Sequence, residues 1–257
     1  MAIPRIVTTS WDDGDPADLR VADLLRARDV RGTFYVPMTG YRGRTTLKPA
    51  GLRSLVSEGF EIGAHTLSHR TLSNLLPAEI EREVRGSKET LEDMLSCDID
   101  MFCYPRGRYN RRVLHSVRAS GFAGARTTRM LAIESNFAPF EMPTSLQVYP
   151  HSGWTYVRNI VKSRKAGRLL GYLNQFRGAR SWVELGKLLF DSVLKDGGVW
   201  HLYGHSWEIE ELDMWADLAE LLDYVRGRPA IQYASNGEAL KLLAKAMPRT
   251  ATIASFH

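Results

Sequence analysis

Cysteine is scarce. Two residues, Cys97 and Cys103, cannot build a disulfide framework or a four-thiolate zinc site. Long apolar runs are missing: no window approaches the roughly 18 uninterrupted apolar residues that mark a membrane-spanning helix. The opening residues, MAIPRIVTTSWDD, show no basic region followed by an apolar stretch. No signal peptide is therefore expected, and the expected location is cytoplasmic. No Gly/Ser/Pro-rich linker, break in composition or fixed-period repeat divides the chain. Charge of one sign is not in large excess either. Lys and Arg number 34 against 29 Asp and Glu, a net charge of +5, and no run of five basic residues occurs. A nucleic-acid partner is not expected, whereas anionic small molecules and glycans suit this balance.

What remains is ordinary globular material, 44% hydrophobic and 25% charged over 257 residues. A chain of this length buries a sizeable core without staples, which excludes disorder for the bulk of it. Short β-rich runs alternate with amphipathic stretches. Arg5–Ser10, Thr33–Pro37, Glu61–His65, Asp100–Tyr104, Phe122–Arg126, Gly198–Tyr203 and Ala230–Ala234 read as strands, with an extra one at Ser145–Tyr149. Asp15 reads as an N-cap and Pro16 as the first residue of a helix to about Arg28, with Leu19, Ala22, Leu24 and Leu25 on its apolar side. Further helices are expected at Pro49–Ser57, Pro77–Leu95, from the cap Asn110 to Ala119, and near Thr155–Leu170, Ser181–Lys195, Ile209–Val225 and Gly237–Ala246. Residues 127–143 read as irregular and the tail 250–257 as frayed. About seven β–α units with short connections imply right-handed crossovers and a parallel sheet. The expected architecture is a single α/β domain over 1–257, an open or distorted β/α barrel.

Such folds carry their chemistry at the C-terminal ends of the strands. Those positions hold Trp11-Asp12-Asp13-Gly14, His65-Thr66-Leu67-Ser68-His69, Tyr104-Pro105-Arg106-Gly107, Arg126, and His201-Leu202-Tyr203-Gly204-His205. Adjacent carboxylates on a regular strand face opposite sides, but at a strand end turned by Gly14 both are able to face one site. The competing reading is a turn or helix cap, since Asp-Gly is a common turn pair. His65 and His69, spaced i and i+4, fall on one face of a helical turn and are able to share a metal. The alternative is two loop histidines bonded to backbone. Two histidines and a carboxylate leave open metal positions for water and substrate, as hydrolytic sites require.

These motifs resemble the polysaccharide deacetylases of the NodB-homology type, carbohydrate esterase family 4. The family's Thr-Phe-Asp-Asp-Gly stands here as Ser10-Trp11-Asp12-Asp13-Gly14, and its His-Ser/Thr-x-x-His as His65-Thr66-Leu67-Ser68-His69. Thr33-Phe34-Tyr35-Val36 is similar to its Ala-Thr-Phe-Phe-Val strand. The likeness covers about 3–130 and resumes around 196–240. It implies a distorted (β/α)7 barrel and a metal-dependent hydrolase that removes an acetyl group from an N-acetylated sugar, with O-acetyl groups as a variant. Asp12 would be the general base, and Asp13, His65 and His69 would hold one divalent ion, zinc first, with Co2+, Ni2+ or Fe2+ as alternatives. Cys103 stands where many members carry the arginine of Arg-Pro-Pro-Tyr-Gly, and Arg106 would lend the backbone N–H to the oxyanion. No Asp-x-x-Asp-Trp motif is found; Arg126, at Arg126-Thr127-Thr128, would orient Asp12. His205 is the expected general acid and His201 the runner-up. The two share a strand face, and His205 lies nearer the strand's C-terminal end.

The implied substrate is an N-acetylated sugar, an oligosaccharide, or a nucleotide- or lipid-linked glycan, in surface polysaccharide or lipopolysaccharide assembly. Trp207 is expected to stack on a sugar ring, or else simply to pack. His115 and both thiols read as packing residues, and His151 as a loop residue near the cleft. Glu208, Glu210, Glu211 and Asp213 suit the positive end of a helix dipole and need no catalytic role. The stretch 131–195 matches no motif and is expected to shape the cleft. Two rival functions stay open: an amidohydrolase on a small non-sugar amide, and a catalytically silent glycan-binding module.

Overall fold

The computed structural model describes residues 3–162 and 179–246. The frayed-tail expectation and the second half of the Thr155–Leu170 helix lie outside the described residues. At its centre is β1 (Arg5–Asp12), whose side chains alternate between two cores. Val7 and Trp11 pack outward with helical residues such as Val21 and Leu25. Ile6 points inward to a second cluster with Tyr35, Met101, Cys103, Met142 and Val199.

The other strands are β2 (Gly32–Val36), β3 (Glu61–Ala64), β4 (Met101–Cys103), β5 (Gly124–Arg126), β6 (Leu146–Gln147), β7 (Gly198–Gly204) and β8 (Gln232–Tyr233). All pairings are parallel, in the order β5-β4-β3-β2-β1-β7-β6. The ring closes at a thin seam. Met142 bridges Arg126, its N–H donates to the Ala125 carbonyl at 2.9 Å, and the Ser145 N–H donates to His201 at 2.8 Å. The result is a distorted seven-stranded β/α barrel. β8 lies off the ring and pairs with Ile6 and Val7 at the start of β1. Its ladder is shorter than the run Ala230–Ala234 suggests.

The helices are α1 (Asp18–Arg26), α2 (Pro49–Ser57), α3 (Pro77–Leu95), α4 (Arg111–Ala119), α5 (Gly153–Lys162), α6 (Trp182–Asp196), α7 (Ser206–Glu211), α8 (Trp215–Val225) and α9 (Asn236–Ala246). Caps are where residue chemistry puts them: Asn110 accepts from the Val113 N–H at 3.0 Å and Ser181 from the Glu184 N–H at 3.1 Å. Three readings change. Asp15 accepts from the Ala17 N–H at 3.0 Å and so caps a turn ahead of α1 rather than α1 itself. Val21, Ala22 and Leu25 form the buried face of α1, while Leu19 is exposed. The helix expected at Ile209–Val225 is two, α7 and α8, because Asp213 takes a left-handed φ of 49° between them. α6 then packs Leu185, Leu189 and Phe190 in the same core as Leu218, Leu221 and Leu222 of α8. Each such side chain contributes about 1.5–3 kcal/mol by burial. Cys103 is buried, but Cys97 is only partly so. Among the described residues no helix is long and apolar enough to cross a membrane.

Candidate active site

The last inward residue of β1 is Asp12. The next, Asp13, adopts φ 76°, and Gly14 follows at φ 61°. This left-handed pair ends the alternation and brings both carboxylates to one cleft, at the cost of holding a non-glycine residue in a disfavoured region. A side chain at Gly14 would also strike Val36, since a Cβ there would lie 2.9 Å from Val36 Cγ1.

His65 and His69 meet on an irregular bend, not on a helical turn. Thr66 and His69 are left-handed, at φ 68° and 52°, and the two imidazole centroids lie 4.7 Å apart. The His65 Nδ1–H donates to the Cys103 carbonyl at 2.8 Å, which leaves Nε2 free to ligate. Asp13 Oδ1 lies 3.8 Å from His65 Nε2 and 3.2 Å from His69 Nε2. It is buried and has no hydrogen-bond partner among the described residues. Two ligands about 2.0–2.1 Å from a tetrahedral zinc sit about 3.3 Å from each other, so these spacings fit a divalent ion. One oxygen with two imidazoles is a donor set for zinc and its neighbours. Burial drives the His65 imidazole down to about 4, so it is neutral and ready to bind. Burial works against Asp13, but His69, His205 and His65 outweigh it and hold its carboxyl below the usual range.

A second grouping, Asp12, His65 and Cys103, also falls within ligand spacing. It fits a metal less well. Asp12 is taken by Arg126, which forms a wholly buried ion pair and short hydrogen bond with its Oδ1. Burial also pushes the Cys103 thiol well up, away from the thiolate that binds metal. Burial opposes ionisation of Asp12 too, but Arg126, His65 and His205 reverse it and keep the carboxyl below its ordinary value. Asp12 is therefore an ionised carboxylate with Oδ2 facing the cleft.

Opposite stands His205. Its Nε2 is 3.9 Å from Asp12 Oδ2 and 4.0 Å from Asp13 Oδ2, and its Nδ1 is 2.7 Å from Glu208 Oε2. Burial disfavours the charged ring, but Glu208 and the two aspartates raise it to about 9. Glu208 is thus the partner of His205, beyond the helix-dipole role its position in the sequence suggests. Gln147 fixes it in turn: Nε2 donates to Glu208 Oε2 at 3.1 Å, while Oε1 accepts from Tyr203 at 2.7 Å and contacts His151 Nε2 at 2.9 Å. His201 lies deeper, between Ser10 Oγ and the Pro143 carbonyl, each at 2.9 Å. Trp207 donates from Nε1 to Asp13 Oδ2 at 3.0 Å and lines the cleft.

The cleft, of about 360 Å³, gathers Asp12, Asp13, His65, His69, Arg106, His205 and Trp207. Arg126 lies beneath it on Asp12. His151 does not line it, and reaches it only through Gln147. Tyr41, Arg42, Thr128, Gln147, Tyr203 and Glu208 complete the wall without having been assigned a site role from sequence. Thr128 follows Arg126, and Tyr203 and Glu208 flank His205; no local spacing marks Tyr41, Arg42 or Gln147.

Residues 2–125 match the family model described as polysaccharide deacetylase. Among curated proteins, a peptidoglycan-N-acetylglucosamine deacetylase of Bacillus cereus is 30% identical over 46% of this chain and 54% of its own. A chitin deacetylase of Cryptococcus neoformans is 30% identical over 40% of this chain and 22% of its own. The chain spans about half the length, or less, of the curated relatives it matches. In fold, a Mycobacterium smegmatis structure assigned as a polysaccharide deacetylase superposes over 100% of this chain and 99% of its own, with a TM-score of 0.69 at 18% identity. A family 4 carbohydrate esterase of Streptomyces lividans, in complex with acetate, covers 87% of this chain and 89% of its own, with a TM-score of 0.53 at 14% identity. Residues 2–125 are thus similar to the polysaccharide deacetylase family, and the whole chain shares the fold of the Mycobacterium smegmatis structure.

Proposed function

We propose that this protein is a metal-dependent hydrolase that removes the acetyl group from an N-acetylated sugar. One observation carries the reading. An ionised Asp12 and a protonated His205 face each other across 3.9 Å, beside the Asp13/His65/His69 cluster. When bound by Asp13, His65 and His69, a divalent ion, zinc first, supplies Lewis acidity for the attack on an acetyl carbonyl.

The chain's own groups divide the remaining work. Asp12, held by Arg126, takes the proton of the attacking water. The backbone N–H of Arg106 meets the developing oxyanion. His205, charged by Glu208, gives its proton to the departing nitrogen as the C–N bond breaks, leaving acetate and a free amine. Trp207 holds Asp13 through its indole N–H and offers a ring face to the sugar. The names of the Bacillus cereus and Cryptococcus neoformans relatives support an N-acetylglucosamine-type unit as substrate. A role in surface polysaccharide or lipopolysaccharide assembly, on an oligosaccharide or a nucleotide- or lipid-linked glycan, follows from that choice.

The test is acetate release from N-acetylated glucosamine monomers, oligomers and nucleotide-linked forms. The expected result is turnover by the wild type and none by Asp12→Asn at unchanged metal content. Turnover retained in Asp12→Asn would remove the general base from the account.

A further inference from the structure

Two guanidinium groups at the cleft have no task in the chemistry above. Arg42 belongs to the turn Tyr41–Gly43 and Arg106 to the turn Pro105–Gly107. Both line the cleft. Both are left-handed, at φ 52° and 58°, a conformation that costs a non-glycine residue about 1–3 kcal/mol. Their Cζ atoms flank one ring, 5.1 Å and 6.0 Å from the Tyr41 centroid. That ring stands 4.5 Å from the imidazole of His69. The two cations are thus one aromatic ring removed from the candidate metal ligands.

Charge pairing sets these two apart from their neighbours in the site. Arg126 is matched by Asp12, and His205 by Glu208. Arg44, stacked 4.4 Å over Trp207, is matched by Glu211 and Asp15. Among the described residues neither Arg42 nor Arg106 has a carboxylate partner. The remaining acid of the cleft, Asp13, faces His65, His69 and the Trp207 N–H. A divalent ion would leave the cleft still more positive. A neutral acetylated sugar would not answer this charge.

We propose that Arg42 and Arg106 bind an oxyanion on the substrate, a phosphate or carboxylate carried by the acetylated sugar or by the unit next to it. The proposal rests on the deacetylase reading for the word substrate only; anion capture by the two arginines stands or falls separately. Guanidinium is suited to the task because its planar donors match phosphate and carboxylate oxygens in pairs. Tyr41 provides the ring against which both guanidinium groups lie.

The experiment has a binding arm and a turnover arm. Calorimetric titration of chelator-treated protein uses N-acetylglucosamine, its 1-phosphate, its 6-phosphate and N-acetylglucosaminuronic acid. Removing metal keeps the phosphate from binding there instead. The wild type should bind at least one anionic probe roughly tenfold to a hundredfold more tightly than N-acetylglucosamine, a charge-assisted pair's effect. That preference should fall in Arg42→Ala and in Arg106→Ala, and fade as salt rises. The phosphate and carboxylate probes tell the two sources apart. In the turnover arm, the kcat/KM ratio of the preferred anionic probe over N-acetylglucosamine should drop in the same variants, through KM. Equal binding of charged and neutral probes by the wild type would overturn the proposal, as would a preference that survives both substitutions. Arginine-dependent binding without acetate release would keep the anion site and reject the deacetylase reading. Acetate release without charge preference would do the reverse.

Discussion

His201 lies within β7 and His205 directly after its last residue, at the N-cap of α7, and the barrel gives them opposite states. His201, in the inner layer, is boxed by Ser10 and the Pro143 carbonyl, and burial together with the nearby Arg126 charge drives it down to about 3. His205, at the mouth, is buried as well, but Glu208, Asp12 and Asp13 lift it to about 9. Burial alone lowers a histidine. The difference is therefore the neighbouring charge: Glu208, Asp12 and Asp13 raise His205, whereas at His201 the Arg126 cation adds to burial and Asp12 does not offset them. A layer of the barrel, more than the residue type or its period, decides which histidine is able to give a proton at neutral pH.

Substitutions in the two layers should differ sharply in effect. The largest effect is expected at the mouth: Asp12→Asn should cost up to roughly ten-thousandfold in kcat, the upper range for a general base, with metal content unchanged. His205→Gln should cost roughly a hundredfold to a thousandfold, while His201→Gln should stay within about threefold of wild type. Equal losses at 201 and 205 in steady-state kinetics would erase the distinction between the layers.

Glu208→Gln should act through pH. The acid form of His205 exists below about 9, so kcat/KM should decline as pH rises through that value. Without Glu208 the alkaline limb should move down toward the ordinary 6.5. A pH profile that does not move would detach Glu208 from His205.

The smallest effect should be in stability. Removing the His201 ring leaves buried polar partners and should cost about 1–3 kcal/mol in chemical denaturation, with kcat little changed. The sign with pH is set by its lowered value. A folded His201 that stays neutral contributes stability above its ordinary 6.5, and that contribution is lost as pH falls toward about 3. His205 runs the other way: its contribution is complete below 6.5 and is lost as pH rises through about 9.

Local chemistry made part of this site readable from sequence. Asp12-Asp13-Gly14 and His65-x-x-x-His69 stand out by type, spacing and position after a strand, and the caps at Asn110 and Ser181 follow from their own side chains. The conformations behind them did not. The bend that joins His65 to His69 depends on left-handed Thr66 and His69, which no helical period describes. Glu208 reads as a helix-start acid because only the fold turns the His205 ring back onto it, three residues away, and brings Gln147 to it from β6. Tyr41 and Arg42 carry no motif at all, and reach the cleft because the loop after β2 folds over His69. The barrel seam is similar, for Met142 and Ser145 are placed by bonds to Ala125 and His201, far away in sequence. The break between α7 and α8 hangs on one residue, Asp213, within an otherwise continuous amphipathic run.

The proposed chemistry depends on an ion held by Asp13, His65 and His69. Elemental mass spectrometry of the purified protein, beside His65→Ala and Asp13→Ala, tests it without any choice of substrate. The account predicts about one divalent ion per chain in the wild type and loss of it in both variants, since removing one of three protein ligands opens the site. A wild type that stays metal-free after incubation with zinc, cobalt or nickel, or variants that keep the ion, would contradict it.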